Sequence, residues 1–125
     1  PFSAGSFAVI IALNVVDSVR DPWLVMQQCE GLLKTDGALL ISSPWHFQPE
    51  ITMDSARLDR GLPADADLPW LIAGRLTGAA LPGVLDGLAL QHLERDLPWR
   101  VRMHDRLTWE YAIDAMLLRR VNSLD

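Results

Sequence analysis

Phe7–Leu13 (Phe-Ala-Val-Ile-Ile-Ala-Leu) is apolar at every position. It lacks the alternation of a half-exposed strand, so it reads as a strand covered on both faces, as in a parallel sheet sandwiched by helices. Asn14-Val15-Val16-Asp17-Ser18-Val19-Arg20 then turns polar and forms the loop leaving the strand's carboxyl end. Asp21-Pro22 marks a helix start, because an aspartate caps free amides and proline loses no hydrogen bond at the first helical position. Trp23, Leu24, Met26, Cys29, Leu32 and Leu33 follow at near-helical spacing, with Gln27, Gln28 and Glu30 between them. Lys34 is expected in the last turn, where a cation suits the helix dipole, and Thr35-Asp36-Gly37 forms a turn. Ala38–Ser42 is a second buried strand, closed by Pro44. Strand, helix and strand make a βαβ unit, whose crossover is right-handed as a rule. Ligands of open α/β sheets gather at the carboxyl ends of the strands, here Asn14–Ser18 and Ser43–Gln48.

Beyond the second strand the periodicity weakens. Residues 45–67 have no sustained pattern and read as a long loop over the sheet's carboxyl edge, with a short helix near Thr52–Leu58. Leu68–Thr77 is expected to be a helix opening at Pro69-Trp70. Leu81–Leu93 carries Leu81, Val84, Leu85, Leu88, Leu90 and Leu93 at helical spacing, with Pro82 in the first turn and His92 on the solvated side. Gly83 and Gly87 would each weaken that helix by about 1 kcal/mol relative to alanine, so packing must hold it. Pro98–Met103 and Thr108–Leu118 alternate, and His104-Asp105-Arg106 between them predicts a hairpin. With the turn centred there, Arg102 faces Glu110, a pair contributing roughly 0.2–1 kcal/mol and helping to set register.

Composition narrows the class. With 125 residues, 50% hydrophobic and 22% charged, the chain fits a single domain over residues 1–125 and is too apolar for disorder. The longest apolar run, Phe7–Leu13, is seven residues, far short of the ~20 of a membrane-spanning helix, so no membrane partner is expected. Eleven Lys+Arg against 16 Asp+Glu give a net charge of −5, which argues against a surface that tracks nucleic-acid phosphates. The single cysteine, Cys29, excludes an internal disulfide and is expected to be a buried structural thiol. Three histidines and one cysteine lack metal-ligand spacing, so no metal site is expected. The chain opens Pro1-Phe2-Ser3 with no initiator methionine or signal-like segment, and is read as a piece of a longer, cytoplasmic protein.

Two segments together carry a family resemblance. Asn14-Val15-Val16-Asp17-Ser18-Val19-Arg20-Asp21-Pro22, then Gly31-Leu32-Leu33-Lys34-Thr35-Asp36-Gly37-Ala38-Leu39-Leu40-Ile41-Ser42-Ser43-Pro44, resemble the fourth strand, following helix and fifth strand of class I S-adenosylmethionine-dependent methyltransferases. Asp17 stands where the family commonly has Glu, Ser18 where it has His, and Thr35-Asp36 where it has Pro-Gly. The resemblance implies an α/β fold, a partial Rossmann-like methyltransferase sheet of a parallel βαβ unit plus a carboxyl-terminal antiparallel hairpin. The implied spatial order is Phe7–Leu13, Ala38–Ser42, Thr108–Leu118, Pro98–Met103. It also implies that Leu13, Asn14, Val15 and Asp17 face the methionine end of the cofactor. Ser43, Trp45 and His46 would face the methyl acceptor, with His46 as a general base. Each has a blander reading: Asn14 as a turn residue, Asp17 as an extension of the helix cap, Trp45 as packing, His46 as an exposed loop histidine.

The family's Gly-rich turn after its first strand and the acid after its second have no counterpart here. Gly5 precedes a strand, and Gly78, Gly83 and Gly87 lie in the segment read as helical. The chain thus looks like the carboxyl-terminal half of such an enzyme, with S-adenosylmethionine the cofactor of the parent and no tight binding expected of these residues alone. A narrower resemblance, to the ovothiol-type mercaptohistidine N-methyltransferase domains, rests on Ser43-Pro44-Trp45, Thr52 and Leu97-Pro98-Trp99-x-x-Arg102. It implies a small-molecule acceptor. The alternative is a non-catalytic methyltransferase-like module used for assembly or dimerisation. In either case strand Phe7–Leu13 would be covered by another copy or by the missing amino-terminal half. His104 beside Asp105 does not make a Ser-His-Asp system, because no nucleophile elbow accompanies it.

Overall fold

The computed structural model describes residues 2–78 and 85–121. Its elements are β1 (Phe7–Leu13), α1 (Pro22–Leu32), β2 (Leu33–Ser43), a 3-10 turn at Asp54–Ala56, α2 (Leu68–Leu76), β3 (Leu88–His104) and β4 (Leu107–Arg120). The strands form one mixed sheet in the order β1-β2-β4-β3, the order the resemblance implied. β1 pairs parallel with β2, while β4 pairs antiparallel with both β2 and β3.

Local chemistry sets the ends of α1. Asp21 caps the first turn, its Oδ1 accepting from Leu24 N at 3.1 Å, and Pro22 occupies the first helical position. At the other end the expectation for Lys34 fails: the helix stops at Leu32 and Lys34 already lies in β2. The cation at this end comes instead from β4, where Arg120 Nη1 donates to Glu30 O at 2.6 Å and Leu33 O at 2.7 Å. A basic side chain on the last carbonyls satisfies acceptors that the helix cannot. Gly37 is required by close approach, since a Cβ there would sit 2.8 Å from Lys34 O and 3.2 Å from Ala8 O.

The core lies on one face of the sheet. Register places Ile10 and Ala12 beside Leu39 and Ile41, and these beside Leu118 and Met116. Met26 of α1, Ile72 and Leu76 of α2, and Leu58 of the long loop are buried in the same cluster. Cys29 packs against it half-buried, and burial pushes its thiol pKa up. α2 is tied to β3 by Arg95, which forks onto Asp67 at 3.2 and 2.9 Å and holds that carboxyl below its ordinary range.

Three expectations are corrected. β1 stands at the edge, as the implied order places it, but is covered on one face rather than two: Val9, Ile11 and Leu13 are 56%, 60% and 53% exposed. Its uninterrupted apolar run therefore promises a second covering layer that these residues do not supply. The helix over Leu81–Leu93 is absent where it can be seen, with Leu81–Val84 outside the described residues. From Leu88 the chain is strand, and His92 with it, because Leu88, Ala89 and Leu90 pair with Arg120, Arg119 and Leu118. Finally, Arg102 faces Thr108, and Arg100 is the partner of Glu110, its Nε 3.4 Å from Oε1. A turn centred on Asp105 sets residues 102 and 108 opposite each other, two positions short of the expected Glu110, and the register shift between Arg102 and His104 amounts to one residue.

Candidate functional site

The carboxyl ends of β1 and β2 are stitched together. Asn14 leaves β1 in the left-handed region at φ 56°, a conformation asparagine tolerates better than other residues with a side chain. Its N–H donates to Ser42 O at 2.8 Å, and Ser42 Oγ donates to its Oδ1 at 3.1 Å. Two residues past the end of β2, Trp45 also takes positive φ, 57°. Its N–H donates to Ser43 Oγ at 2.9 Å and its indole Nε1 donates to Asp114 Oδ2 at 2.8 Å. The turn directs the chain back over the first loop, where His46 N donates to Asp17 Oδ2 at 3.0 Å.

The long loop is fixed to that same first loop. Thr52 Oγ1 donates to Val19 O at 2.7 Å and Met53 N donates to Arg20 O at 2.9 Å. The stretch around Thr52 and Met53 is therefore held against the β1–α1 connection, while Leu58 farther along packs in the core and its carbonyl accepts from Arg75 of α2 at 2.9 Å. Within residues 45–67 only the single 3-10 turn Asp54–Ala56 forms near the expected short helix.

Between these loops and the β3–β4 hairpin lies a cavity of about 130 Å³. Asn14, Asp17 and Ser18 come from the first loop, and Pro44, His46, Gln48 and Ile51 from the second. Trp99 and Tyr111 close it from the hairpin, directly cross-strand, with ring centroids 4.9 Å apart and planes tilted by 31°. Trp109 meets Tyr111 edge-on at 6.5 Å. Asp17 is only 6% exposed; its carboxylate takes the His46 amide and, at 3.4 Å, the Ser18 hydroxyl. The His46 ring is exposed and has no hydrogen-bond partner among the described residues. A deep carboxylate, a free imidazole and paired aromatic rings can seat a small polar group and exchange a proton with it.

Three of the residues singled out from the sequence, Asn14, Asp17 and His46, are thus brought to one cavity. The others are not. Ser43 is fully buried, and Trp45, 6% exposed, packs in the core and anchors the turn. Leu13 and Val15 face outward, 53% and 38% exposed. Thr52 is a structural tie. Sequence reasoning missed Trp99 and Tyr111 as a pair, and the reason is register: the expected hairpin would have set Trp99 opposite Ile113. Among the described residues there is no cluster of three potential metal ligands, and no helix long and apolar enough to cross a membrane.

No family model matches the sequence, and no curated protein matches it. Solved structures do. A protein from work on the conversion of a disulfide bond into a thioacetal group during echinomycin biosynthesis superimposes with a TM-score of 0.55 at 14% identity, over 98% of this chain and 52% of its own. The selenomethionine-substituted CurJ carbon methyltransferase superimposes with a TM-score of 0.53 at 15% identity, over 97% of this chain and 31% of its own. The chain spans about half the length of the first and a third of the second. At such identities the likeness is one of fold, and the fold is a mixed α/β sheet like that found in a methyltransferase.

Proposed function

We propose that these residues form the carboxyl-terminal half of a class I, Rossmann-like S-adenosylmethionine-dependent methyltransferase acting on a small-molecule acceptor. One observation carries the reading: the cavity at the joined ends of β1 and β2 is lined both by residues assigned to the cofactor side, Asn14 and Asp17, and by His46, assigned to the acceptor side. That is where a methyl group would pass. The fold likeness to the CurJ enzyme supports the same reading.

The residues fit one end of the cofactor. A cavity of about 130 Å³ is well below the ~300–1,000 Å³ of sites that enclose a whole ligand of that size. Asn14 and Asp17 would hold the methionine end, leaving the adenosine to other parts of the parent. When bound, S-adenosylmethionine supplies an already activated methyl group, so the protein's task is chiefly alignment. Asp17 fixes the backbone at His46, the loop ties through Thr52 and Met53 keep that turn in place, and the unencumbered imidazole is positioned to take a proton from the acceptor.

In this reading the exposed face of β1 is covered by the rest of the parent chain. A second reading, an assembly module without catalysis, is favoured by that same apolar face, which another copy would cover. Calorimetry separates the two. The full-length protein is expected to bind S-adenosylmethionine stoichiometrically and the 125 residues alone to show no saturable heat. A full-length protein that binds neither S-adenosylmethionine nor S-adenosylhomocysteine overturns the catalytic reading.

A further inference from the structure

We propose that the β3–β4 hairpin is a docking surface for a second copy of this chain, the two hairpins packing face to face and antiparallel about a two-fold axis. This surface lies at the opposite edge of the sheet from β1, and the proposal goes beyond the methyl-transfer reading without depending on it. Strand alternation divides the hairpin into two faces. One carries the cross-strand pairs Trp99 with Tyr111 and Val101 with Trp109. The other carries Arg100 with Glu110 and Arg102 with Thr108. The apolar face starts at the cavity wall and runs past the core, with Trp109 edge-on to Tyr111. Toward the tip Trp109 is 48%, Met103 47% and Leu107 41% exposed. Tryptophan and methionine in one exposed apolar strip are the composition of an interface centre, not of a solvated turn.

Charge along the hairpin says what covers that strip. Its outer half, residues 100–110, holds Arg100, Arg102 and Arg106 against Asp105 and Glu110. Both carboxylates are taken, by Arg102 and Arg100, and the Arg106 guanidinium has no partner among the described residues. At the root Glu94, Asp96 and Asp114 stand against Arg95, which is already forked onto Asp67. Asp114 is occupied by Trp45 and by the Asp96 amide, and Glu94 by His92. The exposed Asp96 carboxylate accepts no hydrogen bond among the described residues and feels Arg95 only at longer range.

A hairpin positive at its tip and negative at its root fits a copy of itself turned end for end. Val101 lies midway between Asp96 and Arg106 in the chain. An axis across the Val101–Trp109 row therefore sets Arg106 of each copy over Asp96 of the other. The parallel arrangement would stack Arg106 on Arg106 and Asp96 on Asp96. Two-fold contacts require such self-complementarity, and chains of net charge −5 need it against their mutual repulsion. Strand addition is the poorer use of this edge, because Pro98 removes a donor from β3 and register shifts interrupt it.

The strip is small, at the low end of interfaces, under roughly 1,200 Å² in total. The expected dimer of the full-length protein therefore dissociates on dilution, which sedimentation velocity over a range of concentrations reads. Trp109→Glu sets two carboxylates against each other at the axis and is expected to weaken the dimer at least about tenfold. Arg106→Asp and Asp96→Lys are each expected to give monomers, since each makes both cross-pairs like-charged. Mixed in equal amounts they are expected to associate again, because one copy then brings the carboxylates and the other the cations. A role in folding alone would not be repaired by mixing two folded proteins. Asp96 has a left-handed backbone at φ 56°. Should Asp96→Lys fail to fold, Asp96→Asn takes its place: it should weaken the wild-type dimer and partly restore association to Arg106→Asp. A full-length protein that stays monomeric at every concentration overturns the proposal and assigns the strip to another partner. A dimer that Trp109→Glu leaves intact overturns it and moves the contact elsewhere. Two monomeric variants that do not pair on mixing, or no restoration by Asp96→Asn in its place, overturn the antiparallel arrangement. None of these outcomes bears on S-adenosylmethionine binding, which calorimetry reads separately.

Discussion

Single residues at the strand ends do structural work that makes the cavity. Trp45 is the clearest case. A buried indole whose N–H reaches Asp114 Oδ2 at 2.8 Å joins the β2 end to β4, and Asp114 Oδ1 in turn accepts from Asp96 N at 3.0 Å. Trp45→Phe would keep most of the packing and leave that carboxylate oxygen without its partner. The expected cost is about 1–3 kcal/mol of unfolding free energy, measured by urea denaturation. Which polar residues gather at the site was partly legible. Asn14, Asp17 and His46 follow the two apolar runs, and strand ends in such sheets collect ligands. Trp45 as packing was one of its two readings and is the one the core shows. That Ser43 also turns inward was not legible, because the turn hinges on one positive-φ residue and a hydroxyl acceptor, neither of which has a sequence signature at a tryptophan.

Elements with strong local signals formed where their residues placed them. Asp21-Pro22 opens α1, Pro69 stands in the first turn of α2, and alternation in Pro98–Met103 and Thr108–Leu118 marks the hairpin. The failure of the expected helix from Leu88 to Leu93 has a physical cause. A leucine-rich segment suits either period, and here pairing with the far end of β4 outweighs a helix already weakened by glycine. The same far end supplies Arg120 to the carboxyl end of α1. Arg120→Met, which retains the aliphatic stem but not the donors, is expected to cost about 1.5–3 kcal/mol, the range for hydrogen bonds to a charged group. Thermal unfolding checks it. Lys34→Met, the substitution that sequence reasoning would have chosen, is expected to change stability by less than about 0.5 kcal/mol, since Lys34 is exposed.

Across the whole molecule, the accessible surface is 7700 Å². A monomeric globular chain of 13.9 kDa would expose roughly 6,700 Å². The excess agrees with a sheet that has one bare apolar face at β1 and a hairpin extending past the core. Ile11→Lys separates the roles of that face. In the 125-residue chain Ile11 is 60% exposed, so the substitution should leave the unfolding free energy within about 0.5 kcal/mol and reduce self-association seen by light scattering. In the full-length protein, where the proposed function has this face covered, burying the lysine should lower stability by several kcal/mol. Equal, negligible effects in both proteins would argue against any covering layer.

The amino-acid sequence by itself determined the element types with sharp punctuation and the parallel βαβ unit, because periodicity, caps and turn residues act over a few neighbours. The strand order was legible only through the resemblance carried by residues 14–22 and 31–44. The apolar run also marked β1 as a strand built to be covered twice. Tertiary structure alone decided the hairpin register, the identity of the cation that caps α1, the strand at Leu88–Leu93, and the meeting of Asp17 with Trp99 and Tyr111. Each of these depends on contacts between residues tens of positions apart. A one-step bulge or a competing strand partner changes such contacts without altering any local preference.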